Sequence, residues 1–397
     1  MENTVELSPR DMEEVKRVIY LDNAATSFPK PGRVISAMND LMINRGGNAG
    51  RGGHILALGA AQTAYECREK LNAFFDGYGA TRVCFCMGAT EALNIAIKGL
   101  LKRGDHVLIS DLEHNAVLRP IYKMWREGII EYSVFDSMID DPQRSPSRIC
   151  AGIASLMRRN TKMLICTGAS NICSVTMPLF EIGELCRRNG ILFVVDGAQC
   201  AGHLKVSQKE MNISALCLPG HKGLLGPQGC GAILFGNGIE PRTLVEGGNG
   251  VASLEKEMIG ELPERLEAGT LPLPAIAGMS EGIDVVNSLG VERIADHEKA
   301  LYRMCREALQ RIPEVSVHYP SHEGSVILFS HKNFSPEAVA ANLSAQGICV
   351  RAGYHCCALG HKRIGTLKEG AIRASFGVFN SSDDVRRLCE AVSTLKQ

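Results

Sequence analysis

Aromatic residues make up only 5% of this 397-residue chain, and neither sign of charge is in excess: 43 lysines and arginines balance 43 aspartates and glutamates. That balance removes the electrostatic attraction on which nucleic-acid and anionic-membrane binders rely, so neither partner is expected. No apolar run approaches the roughly 18 residues of a membrane span; the stretch Ile191 to Val195 holds five. Low-complexity tracts, fixed-period repeats and long charge blocks are missing as well, which excludes solenoids, coiled coils and charged tails. No glycine is followed directly by lysine, so a Walker A phosphate loop is impossible. The opening residues Met1 to Leu7 are acidic and lack the basic start and apolar middle of an export signal. A cytoplasmic location is expected, and the fifteen cysteines then read as reduced thiols, several of them filling core space.

What is present is the patterning of an ordinary globular protein with material for more than one domain. Short apolar runs at Val83 to Cys86, His106 to Ser110, Lys162 to Cys166, Ile191 to Asp196, Ser214 to Leu218 and Gly231 to Phe235 are of strand length. Most are separated by helix-like stretches such as Leu179 to Asn189, a spacing that predicts βα units and a largely parallel sheet buried on both faces. After about Gly260 the pattern changes to two helical stretches, Ala275 to Asn287 and Val291 to Arg311, then strand, strand and helix at Val315 to Tyr319, Ser325 to Ser330 and Ser335 to Gln346. The expected organisation is an N-terminal segment 1–22 packing with the small domain, a large domain 23–260, and a small α+β domain 261–397.

In open α/β sheets ligands collect at the carboxyl ends of the strands, so the residues after each apolar run are the candidates. Gly88-Ala89-Thr90-Glu91 opens a helix and offers backbone N–H groups, a hydroxyl and the helix dipole to a phosphate. Asp111 to His114, Gly168 to Asn171, Asp196 to Gln199 and Pro219 to Gly223 follow the next strands. Each alone is weak: a strand-end Asp more often caps a turn, and a lone Lys is nearly always a solvated charge. Together, a phosphate cradle, a carboxylate, a stacking histidine and a glycine-flanked lysine are what a pyridoxal phosphate site requires. The carboxylate keeps the ring nitrogen protonated, and the lysine forms the Schiff base. The glycine-rich stretch Gly47 to Gly53 does not follow a strand, and spacing alone makes it a mobile loop.

The segments Tyr20-Leu-Asp-Asn-Ala-Ala-Thr, Gly88-Ala-Thr-Glu-Ala, Glu113-His114, Asp196-Gly-Ala-Gln199, Gly220-His-Lys-Gly and Ala268-Gly269-Thr270 resemble the class V aminotransferase-fold enzymes. Arg351-Ala-Gly-Tyr-His-Cys356 resembles the cysteine element of group II cysteine desulfurases, which include selenocysteine lyases. The resemblance runs over roughly residues 20 to 390. It implies the fold type I architecture of pyridoxal-phosphate-dependent transferases, an aspartate aminotransferase-like α/β fold, and a homodimer with its site at the subunit interface. Lys222 would carry the cofactor, Asp196 would pair with the pyridinium nitrogen, and His114 would stack on the ring. Asn171 and Gln199 would bond the phenolic oxygen; Ala89, Thr90 and His221 would bind the phosphate, with Thr270 reaching in from the partner subunit. Arg373 would fork onto the substrate carboxylate, with Asn23, His54 and Arg351 also at the substrate. Cys356 would accept sulfur.

The sequence departs from the family at Pro219, where a Ser or Thr usually gives the phosphate a hydroxyl, and at Cys357, where Ala commonly follows the cysteine. Cys357 is expected as core packing rather than as a relay for sulfur. Read as metal ligands, His355, Cys356, Cys357 and His361 lack the separated cysteines typical of zinc, so no metal is expected. The implied reaction is conversion of L-cysteine to L-alanine with a persulfide on Cys356 and a possible acceptor protein. Selenocysteine lyase, a class V aminotransferase or epimerase, and a sulfur- or metal-binding module without turnover are the alternatives.

Overall fold

The computed structural model describes residues 18–50, 52–250, 253–258 and 260–395. Thirteen strands are distributed over three sheets among the described residues. The largest is built from β2 (Val83–Cys86), β3 (His106–Ser110), β4 (Glu131–Phe135), β5 (Thr161–Thr167), β6 (Leu192–Asp196), β7 (Ala215–Pro219) and β8 (Gly231–Phe235), in the spatial order 2-8-7-6-5-3-4. Its neighbours are parallel from β7 through β4, and β8 runs antiparallel to both strands beside it. Alternation decides which face each side chain serves. Leu164, Cys166, Phe193 and Val195 join one core cluster, and Met163, Ile165 and Val194 the other. Both faces are therefore dry, as continuous apolar strands require, and helices cover each.

The small domain closes on a four-stranded antiparallel sheet, β12 (Arg351–Gly353), β13 (Ala371–Ser375), β10 (Val326–His331) and β9 (Val315–His318). Its core takes in Tyr302, Phe329, Leu343 and Leu388, and also Ile19 and Leu21 from the other end of the chain. Those two arrive because β1 (Ile19–Tyr20) pairs in parallel with β11 (Ile348–Cys349), followed by a bridge from Asp22 to Ser375. Of the segment 1–22 expected against this domain, residues 1–17 lie outside the described residues.

The expected boundary at 260/261 is displaced. The helix Leu273–Leu289 buries Ile276, Met279 and Ile283 in the core of the large domain, because its apolar stripe faces that core. The chain passes to the small domain only at Gly290, which ends this helix and opens the next, Val291–Gln310. Its φ of +85° is left-handed backbone that glycine adopts without a Cβ clash, so one residue turns two helices into two cores.

Candidate active site

A cavity of about 470 Å³ opens where the strands of the large sheet end. Ala89 and Thr90 reach it from the start of the helix Ala89–Leu100, whose first turn has no side-chain cap and leaves its N–H groups facing the opening. Asn171, Asp196, Gln199, His221 and Lys222 come from the ends of β5, β6 and β7 and the turns that follow. Pro219 lines it as well, without a hydroxyl to give.

His114 lines the wall as the N-cap of the helix Asn115–Arg126, its Nδ1 accepting from the Ala116 N–H at 3.0 Å. That bond puts the ring proton on Nε2. Burial, with the charges of Lys222 and nearby arginines, brings the His114 pKa down to about 4, so the ring is neutral and can stack on an aromatic system. Burial does the same to His221, also to about 4, and its Nδ1 is buried with no partner. The backbone there is fixed: the His221 carbonyl accepts from the Ser27 N–H at 3.0 Å, the Thr26 hydroxyl at 3.0 Å and the Lys30 ammonium at 2.8 Å.

Lys222 has its pKa brought down by burial to about 8, with Asp196 pulling the other way. Asp196 is itself raised by burial, against the hydrogen bond from the Ala198 N–H at 3.0 Å and the Lys222 charge. Beneath it lies Glu113, fully buried, whose Oε1 accepts from the Thr167 N–H at 2.9 Å and from the Ser110 hydroxyl. Its Oε2 has no partner, and burial, with the nearby Asp196 charge adding to it, lifts the Glu113 pKa to about 8. Glu113 stands in the Glu113-His114 motif, yet sequence gave it no role. Adjacency to a site residue was its only signal.

The remaining sequence candidates stand elsewhere. Arg373 is 2% exposed behind the cavity, donating to the Asn171 carbonyl at 3.0 Å and to Asp22 Oδ1 at 2.5 Å. Arg351 is its cross-strand neighbour and is exposed. Asn23 is buried and fully engaged, its amide donating to the Ser375 carbonyl and to Asn380 Oδ1, each at 3.0 Å, while its oxygen accepts from Phe28 N–H. Asn23 joins chain segments by these bonds and also lines a small second cavity together with Lys222. His54 is exposed and caps the helix Ile55–Phe74, and Thr270 is exposed; neither lines the cavity of its own chain.

Cys356 is exposed, on the loop between β12 and the helix Ala358–Ile364. Both His355 and Cys356 have left-handed backbone, φ +49° and +55°, a conformation that costs non-glycine residues energy and needs support from outside. The Asn171 amide donates to the His355 carbonyl, and the Asn115 N–H to the Cys356 carbonyl, each at 2.7 Å. A buried chain adds to this hold. The Arg351 carbonyl can only accept, so His355 Nε2 donates to it at 3.2 Å. His355 Nδ1 then accepts from His361 Nε2 at 3.1 Å, and His361 Nδ1 from the Thr366 hydroxyl at 2.7 Å. Burial keeps both rings neutral, bringing the His355 pKa to about 3 and the His361 pKa to about 4.

Cys357 points the other way, into the core, where its thiol donates to the Leu112 carbonyl at 3.4 Å. His355 and His361 meet, but Cys356 is exposed and Cys357 is buried in the core, and among the described residues no group of three or more His, Cys, Asp and Glu is arranged to hold a metal ion.

Comparison with known proteins decides the family. The sequence profile of the class-V aminotransferases matches residues 19–388. A probable cysteine desulfurase of Pyrococcus abyssi is 31% identical over 390 residues, 95% of this chain and 94% of that protein. A cysteine desulfurase of Serratia proteamaculans is 30% identical over 390 residues, 95% of this chain and 93% of that one. The chain belongs to the class-V aminotransferases, within them to the cysteine desulfurase family. The apo structure of a cysteine desulfurase from Thermococcus onnurineus NA1 superposes with a TM-score of 0.83 at 29% identity, covering 95% of this chain and 94% of that one. The fold is therefore the type I fold of pyridoxal-phosphate enzymes, the family's chemistry is enzymatic, and its members act on small molecules. Among the described residues no helix is long and apolar enough to cross a membrane.

Proposed function

We propose that the protein is a pyridoxal-phosphate-dependent cysteine desulfurase that moves sulfur from L-cysteine onto Cys356 and releases L-alanine. The observation that carries this reading is a convergence. One cavity gathers a lysine, a buried carboxylate, a neutral histidine and an uncapped helix start, and the N–H of Asn115, next to that histidine, holds the loop of an exposed cysteine. These residues fit the cofactor: Asp196 for the ring nitrogen, His114 for the ring face, and Thr90, the N–H groups beside it and the unpartnered His221 Nδ1 for the phosphate. Asn171 and Gln199 each commit one amide N–H to a backbone carbonyl and retain a second for the phenolic oxygen.

When bound, the cofactor supplies an electron sink for the bonds at the substrate's α- and β-carbons. Lys222 Nζ, with its pKa near 8, takes the α-proton as base. Arg373 has spent one N–H on Asn171 and one on Asp22, and each terminal nitrogen keeps another for the substrate carboxylate. Cys356 Sγ attacks the substrate sulfur. The sulfur–sulfur bond forms as the carbon–sulfur bond breaks, the electron pair stays on carbon, and a proton completes the methyl group of alanine. The sulfur is oxidised as the carbon is reduced, so no outside oxidant is needed.

A homodimer is part of the reading. Ile43 is 78% exposed, Ile55 83% and Leu254 99%, apolar surface suited to a second copy, and His54 and Thr270 stand outside their own chain's cavity. The deciding experiment is alanine release from L-cysteine and L-selenocysteine by native protein and by Cys356→Ala. Alanine from L-cysteine that vanishes in the variant supports the desulfurase. Alanine from selenocysteine alone points to a lyase, and alanine from neither removes the proposal.

A further inference from the structure

Lys222 also lines a second cavity of about 20 Å³, which shares no other residue with the first and has room for about one water molecule. His203 and Glu298 line it with Lys222. His203 lies in the turn after Gly202 and belongs to the large domain; Glu298 projects from the small-domain helix Val291–Gln310. Glu298 is 2% exposed, its Oε2 lies 2.8 Å from His203 Nδ1, and its Oε1 has no partner. The imidazole is pressed against the residue that follows the lysine: a Cβ built on Gly223 would meet His203 Nε2 at 2.6 Å. A buried carboxylate with a bare oxygen is expensive to keep, and the reaction as derived above makes no use of it.

We propose that Glu298 and His203 are positioning residues for Lys222: Glu298 holds a proton on His203, and the imidazolium so formed keeps the lysine amine uncharged and ready as a base. The inference rests on Lys222 being that base. The other charges around the amine come from four elements and oppose one another: Asp196 at the end of β6 and Asp22 after β1 favour the ammonium, while Arg373 on β13 and Arg351 on β12 disfavour it. His114 and His221, which also face it, are neutral. With two anions set against two cations, the added ion pair can tip the balance because its cationic ring lies against Gly223, next to the lysine, while Glu298 sits on the ring's far nitrogen. Burial alone would neutralise His203, and the Lys222 charge adds to that; the Glu298 charge and hydrogen bond outweigh both and raise its pKa.

The test reads Lys222 directly in the full chain purified without cofactor. Trace acetylation by acetic anhydride across pH, followed by peptide mass spectrometry, gives the midpoint at which the amine becomes reactive. Glu298→Gln should raise that midpoint by about 0.5–1 pH unit, and Glu298→Asp should restore it. In the loaded enzyme the acid limb of kcat should move up by the same amount, since the amine is free only with substrate bound. An unmoved or lowered midpoint in a folded Glu298→Gln protein overturns the proposal and leaves the pair as a tether between domains. If that variant does not fold, His203→Gln takes its place, with the same upward shift expected and an unmoved midpoint again overturning. The acetylation profile needs neither substrate nor cofactor. Failure of the native protein to make alanine would therefore remove the desulfurase reading without touching this comparison.

Discussion

The large domain and the small domain hold their parts of the proposed site by different means. In the large domain, Thr90, His114, Asn171, Asp196 and Lys222 occupy strand ends or the turns and helix starts just beyond them, so a dry sheet fixes them through local βα geometry. In the small domain, Cys356 sits on strained backbone held by distant partners, among them Asn171, 184 positions from His355. A side chain at the end of a packed strand is hard to misplace. One on a loop supported by a few hydrogen bonds depends on every one of them.

The largest effects should separate chemistry from support. Lys222→Ala should cut alanine formation by about 10³-fold or more with little change in melting temperature, since the sheet rather than the lysine holds the strand end. Cys356→Ala should abolish sulfur transfer. Cys357→Ala should keep it and cost about 1 kcal/mol of stability, measured by urea unfolding. A Cys357 variant that loses sulfur transfer while staying folded would make the core thiol part of the chemistry.

Gly223→Ala tests how rigid the large-domain side is. Its Cβ would lie 2.1 Å from the Ala201 carbonyl oxygen as well as against His203, and both that turn and the lysine backbone are pinned. A loss of about 1–3 kcal/mol is expected, read as a lower melting temperature. On the small-domain side, Thr366→Val strips His361 Nδ1 of its donor. It should cost about 1–3 kcal/mol and slow sulfur transfer to Cys356 while leaving cofactor uptake unchanged. Equal damage to both functions would erase the distinction between the two halves.

The smallest effects lie in the pH dependence of stability. His114, His221, His355 and His361 all fall from an ordinary 6.5 to about 4 or below in the folded protein. Between pH 6.5 and about 4 the unfolded chain therefore binds more protons, and stability should fall as the pH falls through that window. Glu113 acts in the opposite sense. Raised from 4.5 to about 8, it binds a proton in the folded state that the unfolded state has lost, so stability should decline as pH rises from 4.5 to 8. Glu113→Gln should flatten that decline, as followed by melting temperature across pH.

Much of the large domain was legible in the sequence because its strands are apolar runs and its site residues follow them directly. β4 escaped because it is an edge strand, with Glu131 and Val134 exposed and no apolar run to mark it. The helix Leu273–Leu289 was read correctly as a helix but assigned to the wrong domain, since its pattern shows that it has an apolar stripe and not which core receives it. Asp22 as the partner of Arg373, the His355–His361–Thr366 chain and the His203–Glu298 pair are contacts between segments far apart in sequence. No local pattern encodes such a meeting, and only the resemblance of Cys356 to a family element directed attention to its loop.

The pairing of Ile19 with Ile348 has a consequence for synthesis. The first described strand leaves the ribosome 329 residues before its partner. At about 5–20 residues per second, that is a wait of roughly 15–65 s. During it Ile19 and Leu21, both destined for the small-domain core, have no native surface to bury against, while the large sheet between them can already form. The nascent chain must carry an unpaired hydrophobic strand through most of its translation. That strand is where a chaperone or an aggregation partner would first find it.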